Sequence, residues 1–226
     1  MDKKKQLSEK NQVSQFLTTL AKTPVVNRNR LIFSLDATAS RAPTWDNASH
    51  LQAQMFQETS SLGGLAIQLC YYRGFMEFYR SPWHFETATL MKEMTSVNCL
   101  GGHTQIAKIL RHALSENLIN RIHALVFIGD AVEEDVDDIC NLAGKLGLMN
   151  VPIFIFHEGR DRHAEAIFQQ LASLSGGAYA PFDLASASQL KSLLTAVAVF
   201  AAGGKKAFDK LKHSPAVALL SQQLKR

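Results

Sequence analysis

The sequence predicts an α/β protein with a doubly wound, mostly parallel sheet, one antiparallel edge strand and helices on both faces. Three observations point there. Short apolar runs of strand length, LIFSLD at 31–36, LAIQLCYY at 65–72, ALVFIGD at 124–130 and PIFIFH at 152–157, read as strands covered on both sides. Segments with apolar residues at every third or fourth position separate most of them, as crossover helices between parallel strands do. FMEFYR at 75–80 follows the second run across Gly74 closely enough to be its hairpin partner, which supplies the antiparallel strand.

The elements follow in order. Residues 12–22, QVSQFLTTLAK, place Val13, Phe16, Leu17 and Leu20 at helical spacing, and Pro24 closes the segment. After the first strand, Ala48, Leu51, Met55, Thr59 and Leu62 mark one face of a helix that opens at Asp46. A third helix carries Leu90, Met91, Met94 and Val97 and is broken by Gly101 and Gly102. A fourth spans Thr104 to Leu118, with Ile106, Ile109, Leu110, Ala113 and Leu114 on its stripe. The helix after Asp130 buries Val132, Val136, Ile139, Cys140 and Ala143, and its expected first turn holds Glu133, Glu134 and Asp135, where carboxylates complement the helix dipole. A helix through Ala164, Ile167, Phe168 and Leu171, the short strand AYAPF and a last helix through Leu190, Leu194 and Val197 complete the body. Gly203 and Gly204 are expected to end it, with AVALLSQQL able to form a small terminal helix. The expected organisation is a basic segment with a short helix at 1–23, one domain at 24–203 and a basic tail at 204–226.

Composition excludes several classes. In 226 residues, 46% hydrophobic and 19% charged, there is material for one sizeable core and no sign of a disordered chain. No apolar run approaches the roughly 20 residues that cross a bilayer. MDKKKQLSEKNQ lacks the apolar middle of a secretory signal, so a cytoplasmic location is expected. Cys70, Cys99 and Cys140 stand singly, as reduced small hydrophobes do. The net charge of +4 lives in the ends: residues 24–203 hold 13 basic and 17 acidic side chains, and the flanks hold 11 and 3. That distribution argues against a nucleic-acid groove on the body.

Two of the apolar strands end in aspartate, Asp36 and Asp130, and in an open α/β sheet ligands sit beyond the carboxyl ends of strands. If the chain stays extended past Asp36, then Asp36, Thr38 and Ser40 point to one side. Thr104, after two glycines, offers a third hydroxyl. Two carboxylates and three hydroxyls form a hard-oxygen set suited to magnesium or manganese. Taken singly, each of these residues is an ordinary cap or turn former. It is their conjunction that points to a metal. The run from Glu133 to Asp138 reads most simply as a solvated helix face, and His157 as a satisfied interior histidine.

DATAS, then GGHT, then IGD resembles the metal-ion-dependent adhesion site (MIDAS) of von Willebrand factor A domains: Asp-x-Ser-x-Ser, a distant Thr, and a later Asp at a strand end. The resemblance extends through the element order of residues 24–203, including the antiparallel edge strand. It implies that Thr38, Ser40 and Thr104 are direct ligands of magnesium or manganese, with Asp36 and Asp130 binding through water or alternating with it. Two departures stand out: Thr38 replaces a serine, which stiffens χ1, and His103 lies between the glycines and Thr104. The implied function is that of intracellular bacterial A-domain proteins, a metal-dependent protein-binding module that receives an Asp or Glu from a partner. Such a partner is often an ATPase or chaperone-like protein. This chain lacks a phosphate-binding Gly-x-x-x-x-Gly-Lys loop of its own. Arg41, Trp45 and His103 are candidate partner contacts, and His103 suits magnesium poorly as a ligand. The rival readings are a metal-dependent hydrolase or phosphoryl-transfer enzyme, for which neither a Gly-x-Ser-x-Gly elbow nor an Asp-x-Asp-x-Thr motif is present, and a metal-free scaffold of the same fold.

Overall fold

The computed structural model describes residues 29–41, 65–182, 187–208 and 215–224. Within them the elements run β1 (Arg30–Asp36), β2 (Ala66–Arg73), β3 (Glu77–His84), α1 (Thr87–Thr95), α2 (Ile106–Ile119), β4 (Ala124–Gly129), α3 (Val136–Leu148), β5 (Ile153–Glu158), α4 (Arg162–Ser175), β6 (Ala178–Phe182), α5 (Ala187–Phe208) and α6 (Pro215–Gln223). The sheet order is β3-β2-β1-β4-β5-β6. Only the β2–β3 pair is antiparallel. The helices expected at 12–22 and from Asp46 to Leu62 lie outside the described residues.

Alternation along β1 decides how the layers form. Leu31, Phe33 and Leu35 face one core with Leu90 and Met94 of α1 and Leu193, Leu194 and Val197 of α5. Ile32 faces the other, filled by Ile106, Ile109 and Leu110 of α2, Ile139 and Leu142 of α3, and Phe168 of α4. Each such side chain taken fully out of water contributes about 1.5–3 kcal/mol before entropy is counted. The central strands are therefore apolar at nearly every position, because both faces are covered. The three cysteines are free, and burial pushes the Cys70 thiol far above its usual range. Among the described residues no helix is long and apolar enough to cross a membrane.

Three expectations shift. The edge strand starts at Glu77 instead of Phe75, because Gly74, at φ 58°, opens a turn that takes in Phe75 and Met76. It then runs through Pro82, which an edge strand tolerates. Helix α3 starts at Val136, with Asp135 as its cap accepting from the Asp138 N–H, so Glu133 and Glu134 stand before it. The packed body also does not stop at Gly204. A kink there carries α5 on to Phe208, and Phe208 and Leu220 both lie in the core. Gln223 of α6 bonds both the N–H and the C=O of Tyr179 at 2.8 Å, pairing with the free edge of β6. The region from 204 onward is thus partly structural, not only a basic tail.

Candidate functional site

Strand β1 lies between β2 and β4, and the chain leaves it in opposite directions on its two sides. This is the switch point where open α/β sheets open a crevice. Asp36 closes β1, and Asp130 follows β4, whose Ile128 is in register with Leu35. Asp36 is fully buried. Its Oδ1 accepts from the Thr38 N–H at 2.8 Å, and its Oδ2 accepts from the Tyr72 hydroxyl at 2.9 Å. Burial lifts the Asp36 carboxyl above its ordinary value, hydrogen bonding from Thr38 pulls it back, and the negative charge of Asp130 pushes it up again. Burial, reinforced by Asp36, drives the Tyr72 phenol well above its usual range, so Tyr72 stays a donor. Asp130 is half-buried, and its Oδ1 is a buried oxygen without a hydrogen-bond partner among the described residues.

Past Asp36 the chain bends where an extended course was expected. Thr38 forms a bridge with Leu100, and residues Ala39–Arg41 make a single 3-10 turn closed by the Arg41 N–H on the Thr38 carbonyl at 3.1 Å. It is this turn, not strand alternation, that sets the Thr38 and Ser40 hydroxyl oxygens 3.1 Å apart. Thr104 is held from across the rim: its N–H donates to Glu133 Oε2 and its Oγ1 accepts from the Glu133 N–H, both at 2.9 Å. Glu134 accepts from the backbone N–H groups of Ile106 and Ala107, capping the start of α2. Burial raises the Glu134 carboxyl, and those N–H bonds oppose the rise. Within the acidic run Glu133, Asp135 and Asp137 are exposed, as a solvated face requires, but its first two members also lace two loops together.

The structure gathers Asp36, Thr38 and Ser40 at one strand end, sets Asp130 at the next, and ties Thr104 to the loop after Asp130. Arg41 is not a partner contact. Its side chain is 1% exposed, with Nε and Nη2 each 2.7 Å from Glu158 Oε2 and Nη1 donating to the carbonyls of Asp36 (3.1 Å) and Ile128 (3.2 Å). A guanidinium is fully charged and has five donors, so it is drawn to where a carboxylate and two carbonyls can be satisfied together. Trp45 lies outside the described residues. His103 is exposed beside the site, with Nδ1 3.3 Å from Glu133 Oε2 and its ring edge-on to Phe75 at 5.4 Å. His157 is buried, bonded through Nδ1 to the Tyr179 hydroxyl at 2.9 Å, and burial lowers its pKa. The sequence pattern places Glu133 and Glu134 in a helix and does not single out Tyr72 or Glu158. Glu158 had a visible signal, since it is a third carboxylate ending an apolar strand.

The donor set fits a divalent cation held by hard oxygens. Asp130 Oδ1 lacks a partner, and Asp36 keeps unused lone pairs after its two hydrogen bonds. The 3.1 Å between the Thr38 and Ser40 oxygens is close to the roughly 3.0 Å edge of an octahedron with ~2.1 Å bonds. Among the described residues, no three His, Cys, Asp or Glu side chains cluster as metal ligands, so a cation here relies on hydroxyls beside the two carboxylates.

No family model and no curated protein matches the chain in sequence. Solved structures match its fold. The SpRpn10 VWA domain aligns with TM-score 0.59 at 14% identity, over 73% of this chain and 94% of that one. The fold is that of a von Willebrand factor A domain. The A domain of the type V pili tip protein Mfa5 from Porphyromonas gingivalis aligns with TM-score 0.58 at 10% identity, over 74% and 94% of the two chains. A von Willebrand factor type A protein from Catenulispora acidiphila aligns at 0.56 and 15% identity, and this chain spans only 42% of it. A mussel byssus protein, proximal thread matrix protein 1, aligns at 0.55 and 13% identity over 76% of this chain and 46% of its own, and its structure has a zinc-occupied MIDAS motif. The six-stranded sheet, mostly parallel with an antiparallel edge, is the A-domain architecture.

Proposed function

We propose that this chain is a divalent-cation-dependent protein-interaction module of the cytoplasm. Asp36, Thr38, Ser40, Thr104 and Asp130 hold magnesium or manganese at the carboxyl-end rim, and an Asp or Glu of a partner protein completes the coordination. The observation that carries this reading is Asp130 Oδ1, a buried carboxylate oxygen with no hydrogen-bond partner among the described residues, one residue past the end of the strand beside Asp36. Leaving such an oxygen unpaired costs about 1–3 kcal/mol, which a cation would offset. The zinc-occupied site of the mussel protein supports a divalent ion in this fold, and an all-oxygen donor set favours magnesium or manganese over zinc here.

When bound, the cation supplies a Lewis-acidic point that attracts a carboxylate. The rest is done by protein groups that keep the donors still. The Thr38 N–H and the Tyr72 hydroxyl fix the Asp36 carboxylate, Glu133 fixes Thr104 from two sides, and Arg41 clamps the carbonyls at the ends of β1 and β4. Donors held in place before binding lose little entropy on binding. A separate ATPase or chaperone-like protein is the first partner class to test.

Thermal melting with magnesium, manganese or chelator, on the parent and on Asp130→Ala, tests the reading. At about a hundredfold excess over Kd, metal should raise the parent's Tm by roughly 5–10 °C and leave the variant unmoved. A parent that melts identically in metal and in chelator would sink the proposal.

A further inference from the structure

The turn between β2 and β3 carries two large apolar side chains into water, Phe75 at 74% exposure and Met76 at 79%. This turn is firmly held. The Gly74 N–H donates to the Leu100 carbonyl at 3.4 Å, and the Gly74 carbonyl accepts from the His103 N–H at 3.3 Å and from Gln105 Nε2 at 3.2 Å. The fit is so close that a Cβ at Gly102 would collide with the Gly74 carbonyl. The loop that grips the turn is the one that carries Thr104, and its Leu100, itself 45% exposed, donates its N–H to Ala37, between Asp36 and Thr38.

Exposed apolar side chains on a held turn keep their hydration cost unless something covers them, and here two neighbours on the turn are joined by Leu100 of the loop bonded to it. The tip also carries positive charge. The Lys108 ammonium is held there by two uncharged oxygens, the Met76 carbonyl at 2.9 Å and Gln105 Oε1 at 2.7 Å.

Resting on the metal-site reading above, we infer that Phe75, Met76 and Leu100 form an apolar lip that selects the partner. The occupant is a protein segment whose carboxylate residue is flanked by large apolar side chains: the carboxylate goes to the rim and the apolar groups cover the turn. Lys108 favours a segment with net negative charge. The turn thereby sets specificity, while the hydroxyls and carboxylates set the dependence on metal.

Two capped synthetic peptides of equal charge test this by fluorescence anisotropy, one with an aspartate flanked by Leu and Phe and one with the same aspartate flanked by serines. In magnesium the parent should bind the apolar peptide about tenfold or more tighter. The Phe75→Ser/Met76→Ser protein should keep the magnesium-dependent binding of the serine peptide and lose the preference, to about twofold or less. Equal affinity of the parent for both peptides, a preference that survives in the double variant, or no binding of either peptide in magnesium would overturn the lip. A preference that persists unchanged in chelator and in Asp130→Ala would overturn the metal reading and support the lip as an apolar site in its own right.

Discussion

Asp36 and Asp130 end neighbouring parallel strands and look alike in the chain, yet the fold treats them in opposite ways. Asp36 is sealed in, with both carboxylate oxygens accepting hydrogen bonds. Asp130 is half-open, with one buried oxygen that accepts none. A carboxylate engaged on both sides is oriented and cannot swing, so it acts as a wall. One with an unengaged oxygen keeps capacity for a positive ligand. The proposed cation site draws on both kinds, at the ends of adjacent strands.

The harshest way to break this contrast is to remove the clamp that the two strand ends share. Arg41→Ala removes one partner of a buried ion pair, so stability should fall by about 3–5 kcal/mol. Arg41→Leu with Glu158→Leu should recover much of that loss in chemical denaturation, because both buried charges are then gone. Tyr72→Phe acts on the Asp36 side alone, removing a hydrogen bond to a carboxylate worth about 1.5–3 kcal/mol. Its metal response should survive weakened, since both carboxylates remain, and complete loss of that response would mean that the Tyr72 hydrogen bond is what holds Asp36 in place.

Charge neutralisation should sharpen the contrast in the other direction. Burial disfavours the ionised Asp36, so the folded carboxyl sits above 3.8 and its charge lowers stability as pH rises through that range. In chelator, Asp36→Asn should therefore raise Tm by roughly 2–4 °C, the shift that about 1 kcal/mol makes in a domain of this size, and abolish the response to magnesium. A lower Tm in chelator would show that hydrogen bonds to the charged form outweigh its burial.

The gentlest perturbation is pH. Burial holds His112 and His157 below their ordinary 6.5. As pH falls past 6.5 the unfolded chain takes up protons that the folded chain refuses, so stability declines. Tm should drop by about a degree or two between pH 7 and 6, before Asp36, working with the opposite sign, gains importance at lower pH. A flat profile there would mean both rings are reached by solvent.

The legible parts of this protein are those written in local pattern. The apolar runs that become β1, β2, β4 and β5 are visible because a strand covered on both faces has to be apolar at consecutive positions. The stripes of α2 and α4 are visible because one side of each helix meets the sheet. The strand-end aspartates stand out only in conjunction with the three hydroxyls, because a single one is an ordinary cap or turn former. Arg41 shows where this kind of reading stops. It sits in a polar loop as a surface residue would, and its burial depends on Glu158, 117 positions away. Glu133 and Glu134 had the composition of a helix start, but the Glu134 carboxylate caps another helix and the Glu133 carboxylate holds Thr104 in the loop before it.

What the sequence by itself determined is the class of fold and the chemistry available at its rim, because both follow from residue type and spacing over a few turns or a single strand. Which oxygens are bound and which are left open was decided only by tertiary structure. So was the 3-10 turn that brings two hydroxyls together, and so was the turn that shows Phe75 and Met76 to solvent. These depend on partners brought near by the sheet order, and a hydrogen bond or ion pair is set by distance in space, which local spacing along the chain does not encode.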